Sequence, residues 1–369
     1  MLIVPAVELT GKYSILLLMS FVRSYLRKNS VWVHLWLFLF WLAVGIGLRF
    51  TNLESKPPWA DEWATLVFSL GHGFRDVPLD QIISLDTLLL PVQLDSTTQV
   101  GDVVKRLMQE STHPPLYFIL THQYLKLFSP QSGLVSLVHA RSLSALFGVL
   151  GIPAIFGCSW LLSRSLVVSQ IAAGLMAFSP YGIYLAQETR HYTLAILWVM
   201  ASLSCLLVTV RHLQKNAPPP NWLMLVWVLV NSIGVATHYF FGLTLVAETI
   251  VLLGFWLPSI LNRLKHKSLF DALFPLPFRR IGIAILGTFI GCGGWIFAWR
   301  DIPDNQLTDW IQHGNPLGSE FLEPIGRLIA WITTMVLLLP IENTSSVVTL
   351  SLIHISEPTR PSKSSRMPS

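Results

Sequence analysis

The chain is made of apolar blocks, each about as long as a bilayer core is thick. Eight stretches hold almost no charge: Trp32–Phe50, Ala140–Leu162, Val167–Leu185, Tyr192–Val210, Trp222–Phe241, Leu243–Leu261, Ile281–Trp299 and Ile325–Leu339. About 20 apolar residues in a helix cross a hydrocarbon layer of about 30 Å. Of the 369 residues, 52% are hydrophobic and 12% are charged, against roughly 25% charged in soluble domains. A soluble core would need eight uniformly buried helices with almost no amphipathic ones, so that reading is rejected. The sequence predicts an all-α integral membrane protein of about eight transmembrane helices, with a long first outer loop carrying interfacial helices.

The net charge of +5 does not point to nucleic acid, because the charge is sorted by loop. Arg23, Arg27, Lys28, Arg164, Arg211, Lys215, Arg263, Lys265, Lys267, Arg279 and Arg280 fall in alternate loops, while the opposite loops hold nearly all the acids. By the positive-inside rule the basic loops are cytoplasmic. Residues 1–31 then form a cytoplasmic N-terminal segment, 51–139 an outer loop, and 32–349 one transmembrane domain in the plasma or inner membrane. Cys158, Cys205 and Cys292 all lie inside spans, without metal-ligand spacing or a disulfide framework, and read as small apolar packers.

Within the outer loop, Asp61–Leu70 and Val100–Met108 carry helical patterns, and Gln81–Leu90 is rich in Leu and Ile. These read as amphipathic helices along the membrane surface. His113–Phe128 is apolar but opens on two prolines and is too short for a span, so it reads as a helix sunk in the outer interface. Met19 is a candidate start. Leu350–Ser369 resembles an in-frame translation of a sequencing adapter; it reads as an artefactual tail and is left out of the functional reading.

Four groups of residues can carry chemistry. Asp61 and Glu62 follow Lys56-Pro57-Pro58-Trp59 just beyond the first span, where a carboxylate can take a proton from a hydroxyl or hold a divalent cation on a phosphate. Acids at a helix start are also favoured by its dipole. His113-Pro114-Pro115-Leu116-Tyr117 places a histidine where it can meet a phosphate or relay a proton. Gln187, Glu188, Arg190, His191 and Tyr192 put five sugar- or phosphate-binding groups in six residues near hydrocarbon, where ionisable residues are costly. His238 ends the fifth span among aromatics that also suit an interfacial belt. Arg141 reads as an interfacial snorkeller, and Glu248, inside a span, as a buried carboxylate whose partner the sequence does not name. Nearly all these groups converge on one face of the membrane.

Asp61-Glu62, His113-Pro114-Pro115-Leu116-Tyr117, the run Arg141 to Gly148, Ser179-Pro180 and the run Gln187 to Tyr192 occur here in order. Together they resemble the GT-C superfamily of membrane glycosyltransferases, near its protein-mannosyltransferase and aminoarabinose-transferase branch. The resemblance implies a GT-C-like fold and an inverting hexosyl- or pentosyltransferase. It implies Asp61 at the catalytic centre with Glu62 in support, and substrate binding by His113, Tyr117, Gln187, Glu188, Arg190, His191, Tyr192 and His238. The donor would be a polyprenyl-phosphate sugar, and the acceptor a lipid, glycan or protein. A divalent cation, Mg or Mn, is left open, with Asp61 and Glu188 as its candidate ligands. Many relatives carry a further C-terminal portion that is absent or replaced here. The rival class is a transporter or flippase of lipid-linked sugars, for which midplane polar residues and internal repeats would be the signal; no repeat is evident.

Overall fold

A computed structural model describes residues 31–78, 80–111, 113–128, 132–264 and 275–300. Five of its helices are long and apolar enough to cross a membrane, or six if one bent pair counts as a span. They are α1 (Val31–Phe50), α6 (Leu137–Ser163), α9 (Tyr192–Gln214), the apolar run Tyr239–Leu261 containing most of α11 (Gly242–Arg263), and α12 (Leu276–Arg300). The chain is an all-α, multi-pass membrane protein, apart from one small β ladder. The expected spans coincide with these helices within a few residues, except at two places; the expected span Ile325–Leu339 and the tail lie outside the described residues.

The first exception is Val167–Leu185, expected as one helix. It is two, α7 (Leu166–Phe178) and α8 (Pro180–Ala186), bent by 56° at Ser179. Pro180 has no N–H and its ring crowds the carbonyl four residues back, that of Met176. That carbonyl is satisfied from elsewhere. Arg49 at the end of α1 donates through Nη2 to the Met176 carbonyl at 2.8 Å and through Nη1 to that of Ala177 at 3.1 Å. Arg49 is completely buried and stands where a helix C-terminus favours positive charge. Gly148 of α6 makes room for this: a Cβ there would lie 2.6 Å from the Ala186 Cβ and 3.1 Å from Arg49 Nε. The second exception is α10 (Asn221–Thr237), 17 residues long, which gives way at His238 to a 3-10 turn, Tyr239–Phe241.

Along the bundle, α6 packs on α7, α8 and α9, α9 on α10, and α10 on α12. The first helix joins through Phe38 and Trp41, which pack with Phe156, Ile152, Ala173 and Ala177. Gln170 Nε2 donates to the His34 carbonyl at 2.6 Å, clamping α7 to α1.

At one end of the bundle lies a layer made of α2 (Ala60–Ser69), α3 (Leu85–Leu89), α4 (Val100–Glu110), α5 (Leu116–Phe128) and an antiparallel ladder, β1 (Gln93–Asp95) on β2 (Ser132–Leu134). The strands were not anticipated from the sequence. The helix α2, expected to be amphipathic, is packed on more than one side. Leu66, Val67 and Phe68 are consecutive and buried, so apolar contact surrounds the helix rather than lining one stripe. Leu66 and Val67 pack with Leu70, Val92, Leu125 and Ala140; Phe68 packs with Val103, Leu107 and Phe118. The same clusters bury one side of α5, where the sequence reading placed a helix sunk in the interface. The layer thus seats the start of α2 against the ends of α6 and α9.

Candidate active site where α2 meets the α8–α9 loop

Glu62 and Arg141 form the anchor. Glu62 is completely buried and Arg141 1% exposed. Arg141 Nε and Nη2 donate to Glu62 Oε1 and Oε2, both at 2.7 Å, in a two-pronged pair. Arg141 Nη1 donates to the carbonyls of Leu53 and Lys56 at 2.5 and 2.9 Å, and the Thr189 N–H donates to Glu62 Oε1 at 2.8 Å. One ion pair therefore fixes α2, α6, the turn before α2 and the α8–α9 loop. The snorkelling position expected for Arg141 is corrected: its head lies inside the protein, because four acceptors meet it there.

Asp61, one residue earlier, points the other way. Its side chain is 51% exposed and meets Arg190, whose side chain is 3% exposed, with Nη2 at 3.3 Å from Oδ2. Arg190 Nη1 donates to the Asp61 carbonyl at 2.8 Å and to Thr65 Oγ1 at 2.9 Å. Trp59 and Tyr192 flank the guanidinium, their ring centres 5.7 and 5.3 Å from its carbon. Arg190 Nε has no hydrogen-bond partner among the described residues. The result is an open carboxylate seated on a buried cation with one N–H to spare.

Beside Arg190 stand three imidazoles from three distant parts of the chain. The His191 ring lies 5.7 Å from that of His113 and 4.4 Å from that of His238. His191 is 1% exposed and neither ring nitrogen has a partner among the described residues. His113 Nδ1 lies 3.0 Å from Ser111 Oγ, and His238 Nδ1 accepts the Phe240 N–H at 3.0 Å. Burial, and then the Arg190 charge, lower the pKa of His113 and His238 to about 4 and that of His191 well below its ordinary value. All three are neutral near pH 7. Tyr117 stands behind them, completely buried, its hydroxyl 2.6 Å from Ser144 Oγ and its ring against His191. Burial pushes its phenol up to about 12. Tyr117 thus braces His191 from within the fold.

On the opposite flank, Gln187 Nε2 donates to the carbonyls of Leu48 and Thr51, each at 3.0 Å, closing the end of α1. Glu188 is 3% exposed, its Oε2 lacks a partner among the described residues, and burial raises its pKa. Lys56 Nζ sits over the Tyr184 ring at 4.0 Å. Among the described residues no three His, Cys, Asp or Glu side chains gather to hold a metal. A divalent ion on Asp61 would also face the Arg190 guanidinium.

The structure thus brings Asp61, His113, Arg190, His191, Tyr192 and His238 to one site with Glu188 and Gln187 on its flank. It turns Glu62 and Tyr117 inward. Trp59, Thr65 and Arg141 join as residues the sequence reading did not assign to the site. No protein-family model and no curated protein matches the chain. Among solved structures the chain is similar to the crystal structure of the Archaeoglobus fulgidus oligosaccharyltransferase in the apo form. The TM-score is 0.43 and the identity 14%, over 90% of this chain and 40% of that one, so the chain spans two fifths of that protein's length.

Proposed function

We propose that this chain is a membrane glycosyltransferase that moves a sugar from a polyprenyl-phosphate donor to an acceptor hydroxyl. The observation that carries the reading is Asp61, an open carboxylate held on buried Arg190 beside neutral imidazoles, at one end of the spanning helices. The acceptor oxygen attacks the anomeric carbon. Its proton passes to Asp61, the bond from that carbon to the phosphate oxygen breaks, and the electron pair leaves on the phosphate. Arg190 serves the departing charge with its fixed cation, in a site already organised before substrate arrives. The partly exposed His113 ring adds a neutral donor for a phosphate oxygen, backed by buried His191. Glu62 and Arg141 touch no substrate and hold Asp61 and Arg190 in register.

Asp61→Asn keeps size and shape while removing the base, so transfer should fall by about 10²–10⁴-fold in a correctly inserted protein. The assay is transfer from a polyprenyl-phosphate sugar by membranes holding the natural full-length protein. Near-normal transfer by the variant would refute the assignment. The flippase reading draws on a polar cluster around Glu248 inside the spans, described next. It takes over if no lipid donor supports transfer, yet a lipid-linked sugar changes leaflet on reconstitution.

A further inference from the structure

Away from the Asp61 site, four polar side chains meet inside the spans. Ser202 of α9, Trp227 and Asn231 of α10 and Glu248 of α11 are all buried. Trp227 Nε1 donates to Ser202 Oγ at 3.0 Å, and that oxygen lies 2.6 Å from both Asn231 Oδ1 and Glu248 Oε1. A serine hydroxyl has one proton to give. It cannot donate to both neighbours, so one of them holds a donor of its own. A carboxylic acid at Glu248 completes the set: Trp227 N–H and the Glu248 O–H donate to Ser202 Oγ, and Ser202 donates to Asn231 Oδ1. No salt bridge to Glu248 forms among the described residues. A carboxylate left at this depth without a cation is costly, which favours the same assignment.

Trp227, Asn231 and Glu248 form the polar wall of a chamber of about 370 Å³ between α10, α11 and α12, whose lining includes Thr249, Leu252, Ile285 and Phe289 and, among the described residues, no basic residue. The volume falls within the roughly 300–1,000 Å³ usual for ligand pockets. Its rim residues Val246, Ile250 and Phe289 are 57%, 64% and 71% exposed, apolar side chains on spanning helices that suit contact with lipid. We propose that the chamber binds an uncharged amphiphile, a long-chain or isoprenoid alcohol, which enters sideways from the bilayer. Its tail lies along the apolar walls and its hydroxyl pairs with Glu248 and Asn231. A phosphate-bearing lipid is disfavoured, because none of the described residues lining the chamber offers a positive charge.

The proposal does not rest on the Asp61 reading, and its test does not measure sugar transfer. The full-length protein in lipid nanodiscs is treated with dicyclohexylcarbodiimide, which requires a carboxylic acid. The Glu248 O–H adds across the carbodiimide to give an O-acylisourea, which rearranges to a stable N-acylurea with no further reactant, read by peptide mass spectrometry. Glu248 should be labelled by this reagent and spared by a water-soluble carbodiimide. Dodecanol at about ten times its Kd should slow the labelling about tenfold by occupancy, and dodecyl phosphate should not. Asn231→Leu should keep the labelling and lose the protection. Asp61→Asn should behave as wild type in every arm. No labelling of Glu248 would overturn the proposal, since the acid would then be ionised or the chamber closed. Protection by dodecylamine equal to that by dodecanol would also overturn it, because an amine selects a carboxylate.

Discussion

At the scale of single residues, the Glu62–Arg141 pair is worth more as a lock than as a source of net stability. Two charges withdrawn from water repay much of their attraction in lost hydration, yet removing one strands the other. Arg141→Met should therefore destabilise the protein by about 3–5 kcal/mol, and Glu62→Met should also destabilise it. Adding Glu62→Met to Arg141→Met should restore part of the loss. Unfolding of the two single variants and the double in detergent measures the coupling, and effects that simply add would refute the lock. The histidines supply a second test, in pH. His113 and His238 have pKa values near 4 when folded and about 6.5 when unfolded. Between these values the unfolded chain holds more protons, so their contribution to stability is complete above about pH 6.5 and is lost as pH falls towards 4. The His113→Asn/His238→Asn double variant should show a flatter decline of Tm across that range than wild type. An unchanged slope would assign the acid sensitivity to other groups. The sequence shows Asp61, Arg190 and the histidines because ionisable groups near hydrocarbon stand out. It hides the lock, because Glu62 and Arg141 are 79 positions apart and nothing local in either marks its partner.

At the scale of elements, the break at Ser179 decides where the α8–α9 loop reaches the site. If α7 ran on straight, Glu188 and Arg190 would be carried away from α2. Arg49 stabilises the break by feeding the carbonyls that Pro180 leaves open, so Arg49→Met should uncover two buried acceptors, each costing about 1–3 kcal/mol. Pro180→Ala supplies an N–H that can reach the Met176 carbonyl once the backbone at Ser179 becomes helical. The Arg49→Met/Pro180→Ala double variant should then be more stable than Arg49→Met alone, with Tm in detergent as the readout. If Pro180→Ala makes the Arg49→Met protein no better, the guanidinium does not act through those carbonyls. The proline is plain in the sequence, but the apolar run continues through it, and length and hydropathy cannot tell a straight span from a broken one. The packing of α2 was illegible for a similar reason. Leu66, Val67 and Phe68 announce an apolar helix, while whether lipid or protein covers it depends on α4 and α5, which arrive tens of residues later.

At the scale of the whole molecule, one end of the bundle carries basic residues and, among the described residues, no acids. Arg164 closes α6, Arg211 and Lys215 end α9, and Arg279 and Arg280 open α12. Backbone carbonyls hold two of these in place: Arg211 donates to those of Leu161 and Leu162, and Arg280 to that of Pro219 at 2.8 Å. Asp61, Glu62, Asp76, Asp95, Asp102 and Glu110 all sit in or beside the layer at the other end. This helix order could be read from the chain because each span advertises itself in its own 20 residues. By the positive-inside rule the basic end is expected in the cytoplasm and the Asp61 site on the opposite side. Ser96 and Asn216 are exposed, one in the layer beside β1 and one in the turn between α9 and α10. A cysteine at position 96 should react with a membrane-impermeant maleimide on intact cells, and one at position 216 only after the cells are opened. The native cysteines Cys158, Cys205 and Cys292 lie within spanning helices and should stay unreactive in both conditions. Labelling at 216 but not at 96 on intact cells would reverse the orientation. The proposed transfer would then have to occur on the cytoplasmic face.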